Sequence, residues 1–283
     1  MSYTEARPRV GFFTDTSVCI GCKACEVACK EWNDVPEDGL NFLGSSYDNT
    51  GELGANTWRH VAFIEQRVPL DGQRAGLDAA LLEKAPWVLP ERADGFRWLM
   101  SSDVCKHCTD AACLDVCPTG ALFRTEFGTV VVQEDICNGC GYCVPACPFG
   151  VIDQRKPDGR VWKCTLCYDR LRGDLEPACA QACPTRSIDF GPLDELRAKA
   201  DVRLRELHDQ GVPHARLYGH DEGDGVGGFG AFFLLLDDPE VYRLPPDPVV
   251  TTRDLGEMWK WAAAGASALV GMAAAAFLGG RRR

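Results

Sequence analysis

The sequence lacks several features that would mark common functions. Histidine occurs only five times, without the spacing of a metal site, at His60, His107, His208, His214 and His220. No nucleophile stands beside a recognisable base, so we expect no catalysis by this chain alone. The net charge of -11 lacks the basic excess of nucleic-acid-binding proteins, which argues against nucleic acid as a partner.

Two further patterns are incomplete. Met1 to Val18 contain charged residues and no apolar run, so we expect no secretory signal peptide. Gly225 to Gly230 match G-x-G-x-x-G, but a dinucleotide site requires a strand before this motif and a helix after it. Here an acidic segment, 221–224, precedes the motif, and an apolar, strand-like run, Ala231 to Leu236, follows it. The sequence therefore predicts a glycine turn and no nucleotide site.

Cysteine, in contrast, is abundant and occurs only in four groups of four. The groups are Cys19, Cys22, Cys25, Cys29; Cys105, Cys108, Cys113, Cys117; Cys137, Cys140, Cys143, Cys147; and Cys164, Cys167, Cys179, Cys183. The C-x2-C-x2-C run of groups one and three places three thiolates on one loop, which suits three iron corners of a cubane cluster. In two-cluster ferredoxins the fourth cysteine ligates the other cluster, so the groups work in pairs and predict four [4Fe-4S] clusters. Groups two, three and four end in Cys-Pro, as in bacterial ferredoxins, whereas Cys29 precedes Lys30.

Disulfides and structural zinc are the alternative uses of these cysteines. Disulfide frameworks are typical of short secreted chains, and cysteines this close together in sequence bridge poorly. A zinc site closes with four ligands from paired C-x2-C loops and leaves no role for a third cysteine in the same loop. Iron-sulfur ligation uses every cysteine in the chain.

Basic residues within the cysteine loops are candidates for tuning the clusters, because positive charge near a cluster raises its reduction potential. Lys30, Arg155 and Lys156 belong to this class. The main candidates are Lys23, Lys106, His107 and Lys163. The alternative is a solvated surface position for each lysine, and for His107 we expect a ring that faces solvent.

Short strands and helices are predicted around the cysteine groups. The strands are Val10 to Phe13, Ala121 to Phe123, Thr129 to Val132 and Arg160 to Trp162. The second and third of these flank a turn and form a hairpin. An amphipathic helix is expected between Pro192 and Gly211. Residues 31–101 carry no cysteine, and their scattered aromatic residues indicate a packing or docking insertion.

The C-terminal segment differs from the rest of the chain. Trp261 to Gly280 contain no charged residue and would span about 30 Å of hydrocarbon as a helix. We expect one transmembrane helix here; the alternative is a helix buried against a partner protein, since alanine and glycine dominate it. Residues 281–283 are arginines, which favour a cytoplasmic C-terminus only weakly, because Arg243, Arg253 and Lys260 precede the helix.

Several features together narrow the family. They are Val18 to Cys25, Tyr47-Asp48-Asn49, Cys137 to Cys143, Lys163 to Cys167, Gly225 to Gly228 and the single C-terminal helix. By these features the chain resembles the iron-sulfur (β) subunit of membrane-bound respiratory formate dehydrogenases. We accordingly expect an α+β fold with tandem ferredoxin-like dicluster domains, pseudo-two-fold symmetry and one C-terminal transmembrane helix. The expected divisions are a first dicluster region at 1–30 and 160–245, an insertion at 31–101, a second dicluster domain at 102–159, a linker at 246–260 and the transmembrane helix at 261–280.

The resemblance also implies which cysteines share a cluster, because groups one and four pair in that family, as do groups two and three. Set one is Cys19, Cys22, Cys25 and Cys183; set two is Cys164, Cys167, Cys179 and Cys29; set three is Cys105, Cys108, Cys113 and Cys147; set four is Cys137, Cys140, Cys143 and Cys117. Each ligand position holds cysteine, so four [4Fe-4S] clusters and no three-iron cluster are expected.

The resemblance further implies a subunit that conducts electrons and does not catalyse. A molybdenum- or tungsten-pterin catalytic α subunit would oxidise formate and pass electrons to set one. A membrane cytochrome b-type γ subunit would receive them from the second region and reduce quinone. The implied location is the cytoplasmic membrane, with lipid around the helix, the cluster domain on the external face and the C-terminus in the cytoplasm; the cytoplasmic face is the alternative. An equivalent subunit of a nickel-iron hydrogenase or a sulfur-compound reductase is the alternative function, since cluster spacing does not identify the source of the electrons.

Overall fold

The computed structural model describes residues 8–39, 44, 50–66 and 97–279, in which short strands and short helices alternate. The strands are β1 (Val10–Asp15), β2 (Arg59–Gln66), β3 (Arg97–Val104), β4 (Leu122–Arg124), β5 (Val130–Val132), β6 (Asp153–Gln154), β7 (Val161–Trp162), β8 (Ile188–Pro192), β9 (Arg216–Tyr218) and β10 (Ala231–Leu235). The α-helices are α1 (Ala24–Trp32), α2 (Ala112–Asp115), α3 (Cys143–Ala146), α4 (Tyr168–Arg172), α5 (Ala178–Gln181), α6 (Leu193–Asp209) and α7 (Leu255–Gly279). Short 3-10 helices lie at Thr16–Val18, Glu134–Ile136 and Pro239–Tyr242.

A four-stranded sheet with the order β8-β1-β10-β9 supports the first and fourth cysteine groups. β1 is parallel to β10 and antiparallel to β8, so that Phe12 lies opposite both Ala231 and Phe190. Phe12, Phe232 and Phe233 have no exposed surface, as expected for strands that are covered on both faces. Because β1 leads into group one and β8 follows group four, their pairing brings these two groups to the same end of the sheet.

Helix α6 packs against this sheet through one apolar face. Its buried residues, Leu193, Leu196, Ala200 and Leu207, recur at helical spacing. Pro192 precedes the helix, and Gly211, with a φ of 85°, lies just beyond its end. This confirms the amphipathic helix that was predicted between Pro192 and Gly211.

The second region has smaller supports. β4 pairs with β5 and β6 pairs with β7, each as a two-stranded antiparallel sheet. Leu122, Val130, Ile152 and Val161 from these strands and their flanks form a separate apolar cluster. The hairpin that was predicted between groups two and three is confirmed.

Part of the insertion at 31–101 packs against group one. β2 and β3 form an antiparallel pair that runs from Arg59 opposite Val104 to Gln66 opposite Arg97. The backbone N–H of Val61 donates to the carboxylate of Glu26 on α1. Since Val61 is 1% exposed, β2 belongs to the core around the first cysteine group.

The segment around Gly225 to Gly230 is a turn. Gly227 and Gly228 have φ values of 71° and 79°, and Asp224 Oδ1 accepts the backbone N–H of Val226 and of Gly228 at 3.0 and 2.9 Å. The strand β10 follows, where a dinucleotide motif requires a helix. The predicted glycine turn is therefore confirmed.

Helix α7 is longer than the sequence predicted. It begins at Leu255 rather than at Trp261, which shortens the predicted linker of 246–260. Its most apolar 18-residue window has a mean hydropathy of 1.7, and the rest of the described chain buries none of this window. By length and composition this helix is able to cross a membrane. Trp259 and Trp261, which are 73% and 74% exposed, lie near its first turns, where tryptophan is enriched at membrane interfaces.

Candidate iron-sulfur sites

The cysteine loops share one backbone feature. All sixteen cysteines lie among the described residues as free thiols, and none forms a disulfide. The residue just before the second cysteine of each C-x2-C pair is left-handed, namely Gly21 (φ 64°), His107 (45°), Gly139 (69°) and Leu166 (57°). In the loop of group four, the backbone N–H of Leu166 points toward sulfur, with its nitrogen 3.3 Å from Cys164 Sγ. At Gly139 a side chain would also collide with the carbonyl oxygen of Gly159.

Sets one and three each surround a small cavity. The members of set one that line theirs are Cys19, Cys22, Cys25 and Cys183. The members of set three that line theirs are Cys105, Cys108, Cys113 and Cys147. Each cavity thus receives three sulfurs from one group and the last sulfur of its partner group, so the structure brings together the residues of these two sets.

Set two is recognised from contacts between its members. Nδ2 of Asn33 lies 3.8 Å from both Cys29 Sγ and Cys167 Sγ. Burial raises the pKa of Cys29 well above its ordinary value, and the thiolates of the three other members of set two raise it further. All four members are buried, namely Cys29, Cys164, Cys167 and Cys179.

Set four is more exposed to solvent than set three, the other set of the second region. Burial raises the pKa of Cys143 to about 12, and the thiolates of Cys117, Cys140 and Cys137 raise it further. Cys140 is exposed, whereas no cysteine of set three is exposed. The four members of set four therefore also lie together, at the edge of the protein.

Electrostatic interactions between thiols link the four sets in the order one, two, three and four. In each of three cysteine pairs, the two thiols belong to different sets. Burial is the main cause that raises the pKa of the first thiol of the pair, and the negative charge of the second thiol raises it further. The pairs are Cys25 with Cys179, Cys164 with Cys105, and Cys113 with Cys143. Set one therefore neighbours set two, set two neighbours set three, and set three neighbours set four.

The donor chemistry fits [4Fe-4S] clusters better than single metal ions. Within the described part of the chain, no three histidine, cysteine, aspartate or glutamate side chains are arranged to hold one metal ion. Four soft thiolates around a wider cavity suit a polynuclear cluster. Burial raises the pKa of Cys25 to about 11 and that of Cys164 to about 12, so these two thiols are protonated at neutral pH in the metal-free protein. Cluster binding must release these protons.

Two predicted tuning lysines are buried. Lys106 and Lys163 are 0% and 2% exposed, so the surface alternative is wrong for both. The Lys106 ammonium donates to the Asp103 carboxylate and lies 4.9 Å from the ring centroid of Phe233. The side chain of Lys23 is 24% exposed, and its ammonium lies 3.4 Å from the Glu26 carboxylate.

Lys163 lies where sets two and three meet. Its ammonium donates to the carbonyl oxygen of Cys164 at 2.9 Å. Burial lowers the pKa of Lys163, but the thiolates of Cys105, Cys113 and Cys164 outweigh burial, so the pKa is raised overall. A charged lysine is therefore held between two neighbouring sets.

His107 is also buried, and the expected solvent-facing ring is wrong. The residue is 1% exposed, and its Nδ1 accepts the backbone N–H of Val130 at 3.1 Å. Burial lowers the pKa of His107 well below its ordinary value, and Lys163 and Arg9 lower it further. The ring is neutral at pH 7, because a proton on Nδ1 would also displace the Val130 hydrogen bond.

Arg59 is a buried cation that the sequence did not single out. It lies on β2, its side chain is 2% exposed, and the thiolates of sets one and two surround it. The sequence does contain a pattern that indicates its burial. Because side chains alternate along a strand, Arg59, Val61 and Phe63 share one face of β2, and Val61 and Phe63 pack in the core. An arginine in register with core residues indicates a buried charge that needs anions.

Known families and proteins match this architecture. Two family profiles for a 4Fe-4S dicluster domain match residues 18–121 and 96–193. The chain is 37% identical to the iron-sulfur subunit of the nitrate-inducible formate dehydrogenase of Escherichia coli K12, over 97% of this chain and 82% of that protein. It is 39% identical to the formate dehydrogenase iron-sulfur subunit of Haemophilus influenzae, over 87% of this chain and 71% of that protein. The B subunit of the anaerobic dimethyl sulfoxide reductase of Escherichia coli K12 is 36% identical over 67% of this chain and 76% of that protein.

These similarities agree with the site and with the fold. The chain has tandem 4Fe-4S dicluster domains, mixed helix and strand content and one C-terminal apolar helix. Of the features that carried the resemblance, Tyr47-Asp48-Asn49 lies outside the described residues. The chain carries 4Fe-4S clusters, transfers electrons and is not itself a catalyst; it belongs to the family of formate dehydrogenase iron-sulfur subunits.

Proposed function

We propose that this chain relays electrons through four [4Fe-4S] clusters, from a molybdenum- or tungsten-pterin catalytic subunit that oxidises formate to a membrane cytochrome b that reduces quinone. The observation that carries this proposal is the linear order of the four cysteine sets. Each bound cluster accepts and releases one electron at a time. This order supports a route that runs from set one through set two and set three to set four.

The assignment of four cysteines to each cluster rests on the same geometry. The cavities at sets one and three, and the contacts within sets two and four, support four clusters of four ligands each. The chain holds the thiolates of neighbouring sets within reach of each other's charge, which favours short transfer steps. Lys163 and Lys106 supply positive charge beside set three, where they stabilise the reduced state.

The two ends of the line differ from its middle in a way that supports exchange with partners. One cysteine is exposed at each end, Cys22 in set one and Cys140 in set four. Beside them, Ile20 is 57% exposed and Tyr142 is 63% exposed. Exposed apolar residues next to a terminal site suit docking of another subunit. We assign the set-one end to the catalytic subunit and the set-four end to the membrane subunit.

Helix α7 would anchor the chain beside that membrane subunit. Thr252, near the start of the helix, donates to Asp115, and Thr251 donates to the carbonyl oxygen of Ala146. Both acceptors belong to the second region, which ties the anchor to sets three and four. We propose that the cluster domain lies on the external face of the cytoplasmic membrane, with the C-terminus in the cytoplasm.

Replacing Cys140 with Ser tests the route in the complex purified with its partner subunits. We expect iron to fall from about sixteen atoms per chain by about four, because one cluster loses a ligand. Reduction of an artificial dye by formate should survive, whereas reduction of quinone should be lost. Gln133→Ala, at an exposed position between β5 and group three, is the control and should keep both activities. Unchanged quinone reduction in Cys140→Ser, with one cluster missing, would contradict the proposed order.

A reductase complex for a sulfur compound is the second candidate. It is favoured by the similarity to the B subunit of the dimethyl sulfoxide reductase. In such a complex the electrons would run in the opposite direction, from the membrane to the catalytic subunit. The same purified complex distinguishes the two functions, since one reduces dye with formate and the other oxidises reduced dye with dimethyl sulfoxide.

A further inference from the structure

A fully buried arginine lies at the junction of sets one and two. Arg59 opens β2, and its side chain is 2% exposed. Burial lowers the pKa of Arg59, but the thiolates of Cys179, Cys164 and Cys29 of set two and of Cys25 of set one outweigh burial and raise it overall. The guanidinium is therefore shared between the ligands of two different clusters.

One nitrogen of this guanidinium is hydrogen-bonded to the protein, and the other two face the cysteine sulfurs. Nη1 donates to the carbonyl oxygen of Ser102 at 3.2 Å and to its hydroxyl at 3.1 Å. The ring of Phe12 lies below, with its centroid 4.9 Å from Cζ. Nε and Nη2 are buried and donate to no oxygen or nitrogen atom of the described residues, and the side chain of Cys179 is the acceptor that the guanidinium faces. The fork is thus fixed in place while two of its nitrogens remain available.

A buried, unpaired guanidinium strongly destabilises a protein unless anions lie close by. No carboxylate in the described part of the chain forms an ion pair with Arg59, so the cluster ligands are the anions that balance it. Ser102 joins the same arrangement, since its hydroxyl lies 3.2 Å from Cys25 Sγ. Arginine suits this place better than lysine, because it stays charged when buried and offers several donors in a rigid plane.

We propose that Arg59 is a positioning residue that joins sets one and two electrostatically, raising the reduction potentials of both clusters and so favouring the entry of electrons into this pair from the catalytic subunit. This inference rests on the proposed function, because it requires clusters at both sets. Reduction adds one negative charge to a set, and the fixed positive charge of Arg59 stabilises the added electron on either side. Since Arg59 attracts both sets, an electron that moves between them stays near the same cation.

The test is a redox titration followed by EPR on the purified complex with Arg59→Gln, Arg59→Met and Arg59→Lys. In both neutral variants the clusters of sets one and two should become harder to reduce by at least tenfold, about 59 mV for a one-electron couple. The clusters of sets three and four should keep their potentials. Arg59→Lys should restore much of the shift. Arg216→Gln, which removes an arginine from the edge strand β9, is the control and should leave all potentials unchanged.

Iron content separates failure of this inference from failure of the proposed function. About sixteen iron atoms per parent chain are required before any variant is interpreted, and far fewer would refute the four clusters themselves. With full iron, unchanged potentials in Arg59→Gln and Arg59→Met would overturn the role of Arg59. If the neutral variants lose the iron of sets one and two, retention in Arg59→Lys supports the inference. If Arg59→Lys loses as much iron as the neutral variants, Arg59 acts only through packing, and the inference is wrong.

Discussion

The two dicluster regions hold the same ligand pattern on different supports. Sets one and two rest on the sheet β8-β1-β10-β9, on helix α6 and on the β2-β3 pair. Sets three and four rest on two-stranded hairpins and on a small apolar cluster in which cysteines themselves take part. The core of the first region also contains cysteines, but most of its members are apolar residues of the sheet and of helix α6, such as Phe12, Phe232 and Leu196. We therefore expect the two regions to keep different amounts of folded structure after the metal is removed, although their ligand spacing is alike.

Removal of iron should separate the two regions most clearly. In the apoprotein, prepared by anaerobic chelation, β1 and β10 should keep slow amide hydrogen exchange, because Phe12, Phe232 and Phe233 remain buried. β4 to β7 should exchange fast, since cluster binding supplies much of the folding free energy there. β2 should also loosen, because Arg59 loses its balancing anions. Hydrogen exchange followed by mass spectrometry measures each segment.

Equal loss of protection across β1, β10 and the hairpins would contradict this comparison. It would mean that the whole soluble part folds as one cooperative unit around the metal. Reconstitution with iron and sulfide is the control, since it should return protection to the hairpins and to β2 without changing β1 or β10.

Matched leucine substitutions sharpen the comparison. Leu234 on β10 and Leu122 on β4 are both buried, at 0% and 3% exposed. Leu→Ala at a buried site lowers the free energy of unfolding by about 2–5 kcal/mol. Leu234→Ala should show this loss in the apoprotein, measured by denaturant unfolding, and should keep its iron. Leu122→Ala should leave apoprotein unfolding unchanged and release the iron of set four faster under chelation. Similar apoprotein losses in both variants would show that the hairpins fold without metal.

Much of this architecture follows from local sequence signals. The hairpin between groups two and three, helix α6, the glycine turn and the apolar C-terminal helix all depend on residues near each other in sequence, and all are present. The cysteine groups predicted the chemistry because their ligand spacing is itself local. The start of α7 was placed too late because a charged residue, Lys260, ended the apolar run without ending the helix.

The buried cations could not be predicted in this way. Lys106, His107 and Lys163 are polar residues beside exposed-looking loops, and local sequence predicts solvent for them. Their burial comes from long-range contacts, such as the hydrogen bond from Val130 to His107. Arg59 is the extreme case, because the sulfurs that surround it include Cys164 and Cys179, more than one hundred positions away. Charge balance across such distances arises only after the chain has folded.

Substitutions of Lys163 and Lys23 should have the smallest effects, and they test whether a buried cation shifts the reduction potentials of only the clusters beside it. Lys163→Met removes a buried charge between sets two and three, whereas Lys23→Met removes a partly exposed charge beside set one. Solvent screens Lys23, so its loss should shift no cluster potential by a measurable amount. Loss of Lys163 should make the clusters of sets two and three harder to reduce by about tenfold, about 59 mV for one electron, in a redox titration followed by EPR. Sets one and four serve as the internal control within the same sample. A shift confined to set one, or equal shifts at all four sets, would show that the position of a buried cation does not determine which clusters it tunes.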